Sequence, residues 1–147
     1  MSKLIYKNRK AYFEYEILDK YVAGIKLQGS EVKSIRGGKC SINEAYCYIN
    51  NGEIFIKGMH ISQHKEGGKH NNHVEVVDRK LLLNKKEILK LDEEMSQKGL
   101  TIIPLSVILT TTGFVKIEIS LSRGKNLHDK RHSIKEKDIK RDIERNV

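Results

Sequence analysis

The segment Gly124-Lys125-Asn126-Leu127-His128-Asp129-Lys130-Arg131 gathers the residues best suited to chemistry on a polyanion. Lys125, Lys130 and Arg131 offer cations that pair with phosphate, His128 offers a ring that stacks on a base, and Gly124 offers a pivot. A second basic group, Lys33, Arg36 and Lys39, surrounds a short predicted helix. The N-terminus of that helix is itself attractive to phosphate, although Glu31 in its first turn partly offsets this. Six tyrosines add flat rings that can stack on bases if exposed. Tyr15 falls on an apolar strand face and is expected in the core. Tyr21, Tyr46 and Tyr48 stay open between core and surface roles.

Other chemistries fit less well. There is no GxSxG, Walker loop or GxGxxG, and the carboxylates fall on outer strand faces and helix surfaces, so no catalytic set assembles and no enzyme is expected. His60, His64, His70 and His73 form a run that could hold zinc, but no cysteine lies near and the spacing is loose. A polar loop is the better reading, and neither a metal nor another cofactor is expected. Cys40 and Cys47 lie seven apart in apolar surroundings without a CxxC pair. They read as reduced, partly buried thiols of a reducing compartment.

Composition points the same way. The chain has 147 residues, 28 Lys or Arg against 19 Asp or Glu, and a formal charge of +9. Such an excess attracts polyanions, of which nucleic acid is the commonest. At 38% apolar residues the chain can still bury a core. No run is long enough to span a membrane, and the N-terminus lacks a signal-peptide pattern, so a cytoplasmic protein is expected. A monomer is expected as well.

These groups need a scaffold. Alternation over 13–17, with Phe13, Tyr15 and Ile17 on one face, and again over 22–27 predicts a first hairpin. Gly29-Ser30 opens a short helix over 31–36 with Ser30 as its cap, closed by Gly37. Asn50-Asn51-Gly52 turns a second hairpin between 46–49 and 53–57. The stretch 62–72 has no periodicity and reads as a mobile loop. Asn84 with Glu87 makes a capping box for a helix with the apolar stripe Ile88, Leu91 and Met95, ended by Gly99. In the third hairpin Ile103, Leu105, Val107 and Leu109 alternate on one strand and Val115, Ile117, Ile119 and Leu121 on the other. Pro104 should mark an edge or a bulge. Three hairpins and two or three helices predict a mainly β fold: a small antiparallel OB-like barrel, closed because closure removes exposed edges.

Composition changes at Arg123. From there to Val147 nine Lys or Arg face five Asp or Glu, with few apolar residues. The reading is a barrel over 1–122 and a basic C-terminal tail over 123–147. The tail should be disordered alone. Ser133 with Glu136, and Ile139 with Ile143, allow a helix on a partner.

Taken in order, Asn8-Arg9-Lys10-Ala11, Ala23-Gly24-Ile25, the run 29–36, Arg79-Lys80-Leu81-Leu82-Leu83, Glu87-Ile88, Lys98-Gly99, Gly124-Lys125 and Asp129-Lys130-Arg131 resemble the SsrA-binding protein (SmpB) family over almost the whole chain. The resemblance implies a barrel that grips the tRNA-like part of transfer-messenger RNA. It also implies trans-translation: rescue of stalled ribosomes and tagging of the unfinished peptide. Asn8, Lys10, Glu31, Lys33, Arg36 and Lys80 would then serve the barrel's RNA face. Gly124, Lys125, His128, Asp129, Lys130 and Arg131 would serve the tail, which enters the messenger channel at the small-subunit decoding centre and folds there as a helix. Asn126 stands where the family commonly has a second lysine, and Glu75 and Val77 stand where it often has proline and arginine. The alternative from another class is an OB-like ribosomal or general RNA-binding protein.

Overall fold

A computed structural model of the chain describes residues 2–63, 72–96 and 99–125. The element order is β1 (Lys3–Lys7), α1 (Arg9–Glu14), β2 (Tyr15–Ile25), α2 (Gly29–Arg36), β3 (Cys40–Ser41), β4 (Tyr46–Asn50), β5 (Glu53–Lys57), β6 (His60–Ile61), β7 (Arg79–Leu82), α3 (Lys85–Met95), β8 (Leu100–Leu109) and β9 (Val115–Gly124). Seven strands form one sheet in the order β1-β8-β4-β5-β7-β2-β9, and β8 also pairs with β9. That last pairing closes six strands into a ring, the OB-like arrangement expected from the hairpins. The link between β4 and β8 is a single residue pair, Cys47 with Ile102. No helix among the described residues is long and apolar enough to cross a membrane.

Two of the expected hairpins are present. Asn51 and Gly52 both take positive φ, 52° and 76°, which matches the right-handed twist of the flanking strands β4 and β5. β8 and β9 pair from Leu100 with Arg123 to Leu109 with Val115. The first expected hairpin is corrected. Asn8 caps a helix over 9–14 instead, its side-chain oxygen accepting from the Ala11 N–H at 3.1 Å. Phe13 is therefore helical and 54% exposed. The residues from Tyr15 to Ile25 form one continuous strand whose partners are β9 and β7. The cap of α2 is also corrected: it is Gln28, whose N–H donates to Glu31 Oε1 at 2.8 Å, while Ser30 lies inside the helix. Asn84 caps α3 as expected, accepting from the Glu87 N–H at 2.9 Å. The helix stops at Met95, before Gly99.

Pro104 sits beside a bulge between Pro104 and Ser106, and a matching bulge lies between Ile17 and Asp19 on β2. An extra residue in a strand flips the faces of everything beyond it. Ile103 and Leu105 consequently join Ala11, Tyr15 and Ile17 in a small cluster, with α1 packed on β8 and β2. Val107 and Leu109, like Tyr21, Ala23 and Ile25, pack instead with the main core. The expectation that Ile103, Leu105, Val107 and Leu109 share one face fails for this reason. The two bulges give α1 its own apolar seat on the sheet.

Candidate nucleic-acid interface

The sequence-predicted barrel residues fall into two groups. Asn8 and Lys10 belong to the start of α1. Lys33 and Arg36 lie in the last turn of α2, and Lys80 lies on β7, next to the residue that ties β7 to α2.

Asn8 faces inward and is 1% exposed. Besides capping α1, its Nδ2 donates to the Pro104 carbonyl at 2.9 Å and the Ile42 carbonyl at 3.2 Å. Its backbone N–H donates to the Leu105 carbonyl at 2.7 Å. Every polar atom of the side chain is thus spent on the fold, at the bulge in β8. Glu31 is also buried, 3% exposed, and pairs with the equally buried Arg79. Arg79 further donates to the carbonyls of Met59 at 2.8 Å and of Val74 and Glu75 at 3.2 Å each. A charge removed from water is tolerated only when paired and hydrogen-bonded in this way. Asn8 and Glu31 are therefore positioning residues: one seats α1, and the other bolts α2 to β7. The sequence places both on the RNA face because burial is not visible in a motif.

The remaining cations reach the surface. Lys10 Nζ lies 2.7 Å from Glu44 Oε1, and that hydrogen bond raises the lysine pKa above its ordinary 10.5. Lys80 pairs with Glu53. A phosphate arriving at either must compete with a carboxylate. Lys33 and Arg36 are exposed and form no ion pair among the described residues. Gly124 is still in the sheet, paired with Tyr15, and Arg123 before it pairs with Leu100. The Lys125 N–H donates to the Glu14 carbonyl at 3.0 Å. His128, Asp129, Lys130 and Arg131 lie outside the described residues, as does most of the expected loop over 62–72.

The aromatic residues separate by environment. Tyr21 packs on the main core and Tyr15 on the small cluster. Tyr48 stacks on its cross-strand neighbour Phe55 at 5.4 Å, and its hydroxyl donates to Asp78 Oδ2 at 2.6 Å. That hydrogen bond raises the phenol pKa. Tyr46 is exposed. Tyr12, which no motif marks as a site, carries Lys7 and Lys20 over its ring at 5.3 and 5.8 Å. No local signal reveals this, because those lysines flank the ring from β1 and β2.

His73 and the two cysteines serve the interior. His73 is buried. Its Nε2 lies 2.8 Å from the Ile61 carbonyl, which can only accept, so Nε2 carries the proton. Its Nδ1 meets the Ser30 hydroxyl at 2.9 Å, tying the segment after the loop to α2. No group of His, Cys, Asp and Glu among the described residues is placed to hold a metal ion. His64 and His70 lie outside them. Cys40 and Cys47 are buried free thiols. Burial raises the Cys40 pKa to about 11 and pushes Cys47 higher still.

Comparison with known proteins matches this frame. Residues 5–147 fit the SmpB protein family. An SsrA-binding protein of Acholeplasma laidlawii is 55% identical over 99% of this chain and 96% of its own. One of Christiangramia forsetii is 49% identical over 95% of this chain and 88% of its own. A solved chain from a tmRNA-SmpB structure concerned with the center of the bacterial ribosome superposes with a TM-score of 0.72. It is 36% identical, and the match covers 88% of this chain and 93% of that one. The family is an RNA-binding one rather than an enzyme family. This chain belongs to the SmpB family of SsrA-binding proteins.

Proposed function

We propose that this chain binds the tRNA-like part of transfer-messenger RNA and delivers it to stalled ribosomes for trans-translation. The observation that supports the reading most is likeness along the whole chain to relatives named for binding SsrA, joined to a solved neighbour from a tmRNA-SmpB structure. The charge of +9 and the exposed Lys33 and Arg36 suit an RNA partner. In this reading the barrel holds the RNA through Lys33 and Arg36, with Lys10 and Lys80 joining by exchanging a carboxylate for a phosphate. The tail, with Lys125, His128, Asp129, Lys130 and Arg131, enters the messenger channel of the small subunit and becomes helical there. It occupies the space that a codon–anticodon pair would fill, and so senses an empty channel.

The direct experiment is to capture the protein from its own cells and sequence the RNA that comes with it. Strong enrichment of transfer-messenger RNA is expected. Recovery of ribosomal RNA alone, on subunits washed at high salt, would instead mark a permanent ribosomal component and end this reading.

A further inference from the structure

Phe114 is the most exposed large apolar side chain among the described residues, at 68%. It stands at the tip of the β8–β9 hairpin, where polar residues are usual. The tip is held firmly. The Phe114 N–H donates to Thr110 Oγ1 at 3.0 Å, its carbonyl accepts from the Thr110 N–H at 2.8 Å, and the Gly113 N–H donates to the Thr110 carbonyl at 3.0 Å.

Phe114 lines an open groove of about 490 Å³. Ile25 and Gly24 of β2, Val32 of α2 and Leu82 of β7 line it too. A Cβ at Gly24 would meet Leu82 Cβ at 3.4 Å, an ordinary contact distance. Among the described residues Lys116 is the one charged member of the lining, and no carboxylate contributes to it. Arg36 reaches the rim: its Nη2 lies 3.1 Å from where a Cβ on Gly113 would stand. An apolar slot with an aromatic wall and a purely cationic edge suits a base attached to phosphates. An uncharged apolar segment would need no such edge.

We propose that this groove takes one unpaired base of the bound RNA, stacked on Phe114, with the flanking phosphates on Lys116 and Arg36. The inference rests on the RNA-binding reading above and extends it to a residue outside the predicted site. It gives α2 a second role, since Arg36 serves both the helix surface and the groove edge.

The chain has no tryptophan, so Phe114→Trp places a single fluorophore at the groove. Titrating the full-length variant with transfer-messenger RNA should quench and shift its emission as the base stacks. Phe114→Ala should weaken RNA binding about 5- to 150-fold, the span of one base stack. Phe114→Leu should lose nearly as much, because it keeps the apolar volume without the π face. Unchanged thermal unfolding of both variants would confirm that the fold is intact. If wild type binds the RNA while Phe114→Ala binds equally well and Phe114→Trp stays unquenched, the groove is not a base site and the wider RNA reading survives. If wild type does not bind the RNA, both fall. An emission change that follows protein concentration without RNA would assign the groove to a second copy of the chain and overturn the proposal.

Discussion

Two buried polar side chains, Asn8 and Glu31, spend their hydrogen bonds on the fold. Asn8→Ala removes the α1 cap, at about 1 kcal/mol. It also removes the Nδ2 donor from the Pro104 and Ile42 carbonyls, of which Ile42 keeps the Ala45 N–H at 3.1 Å, so roughly 1–3 kcal/mol more is lost. A loss of about 2–4 kcal/mol is expected from urea unfolding, with little change in RNA affinity where the variant remains folded. Glu31→Ala leaves the Arg79 guanidinium buried and unpaired, and should cost about 3–5 kcal/mol. Replacing both members with Leu should recover much of that, an outcome that direct RNA contact by Glu31 would not produce in binding assays. The thiols give a pH prediction. A thiol whose pKa is raised in the native state from 9.0 to about 11 leaves stability intact below pH 9 and lowers it as pH climbs toward 11. Alkylation of Cys40 should be slow at neutral pH and rise over that same window, and Cys47 should react only on unfolding.

The elements owe their placement to turns, bulges and caps that differ in how far they depend on neighbours. Gly58 follows β5 with φ of 86°, and a Cβ there would sit 2.9 Å from the Glu44 carbonyl oxygen. Gly58→Ala should cost more than the ~1–2 kcal/mol of the left-handed conformation alone. Gly52→Ala, with nothing within 4 Å of the new Cβ, should lose only that conformational part. Comparative melting of the two variants checks the difference. On α2, Lys33→Ala with Arg36→Ala should weaken RNA binding and reduce the salt slope by about one unit for each phosphate that is no longer neutralised. An unchanged slope would place the phosphate-binding surface elsewhere. At this scale the sequence was legible where signals are local: Asn84 with Glu87, and Asn51-Gly52. It misled at 13–17, where alternating Phe13, Tyr15 and Ile17 spans the end of a helix and the start of a strand. The cap at Asn8, three residues before Ala11, outweighed that alternation because it also satisfies buried carbonyls far along the chain.

At the scale of the molecule, closing the ring requires β2 and β8 each to meet β9, and β9 runs as far as Gly124. Truncation after Ser122 removes the Arg123 and Gly124 pairs and should lower stability. Truncation after Lys125 should leave the fold and RNA binding largely intact while abolishing peptide tagging in a reconstituted stalled-translation assay. Tagging by that shorter protein would overturn the role given to the tail. By itself the sequence determined the chemical character of this protein: its basic surface, the local turn and cap signals, the composition change at Arg123, and the ordered motifs that mark its family. These depend on residue type and short spacing. Only the tertiary structure decided that Asn8 and Glu31 face inward, that the two bulges divide β2 and β8 between separate clusters, and that Phe114, Arg36 and Lys116 meet at one groove. Each of those depends on residues tens of positions apart, brought together by ring closure, and no local pattern encodes that distance.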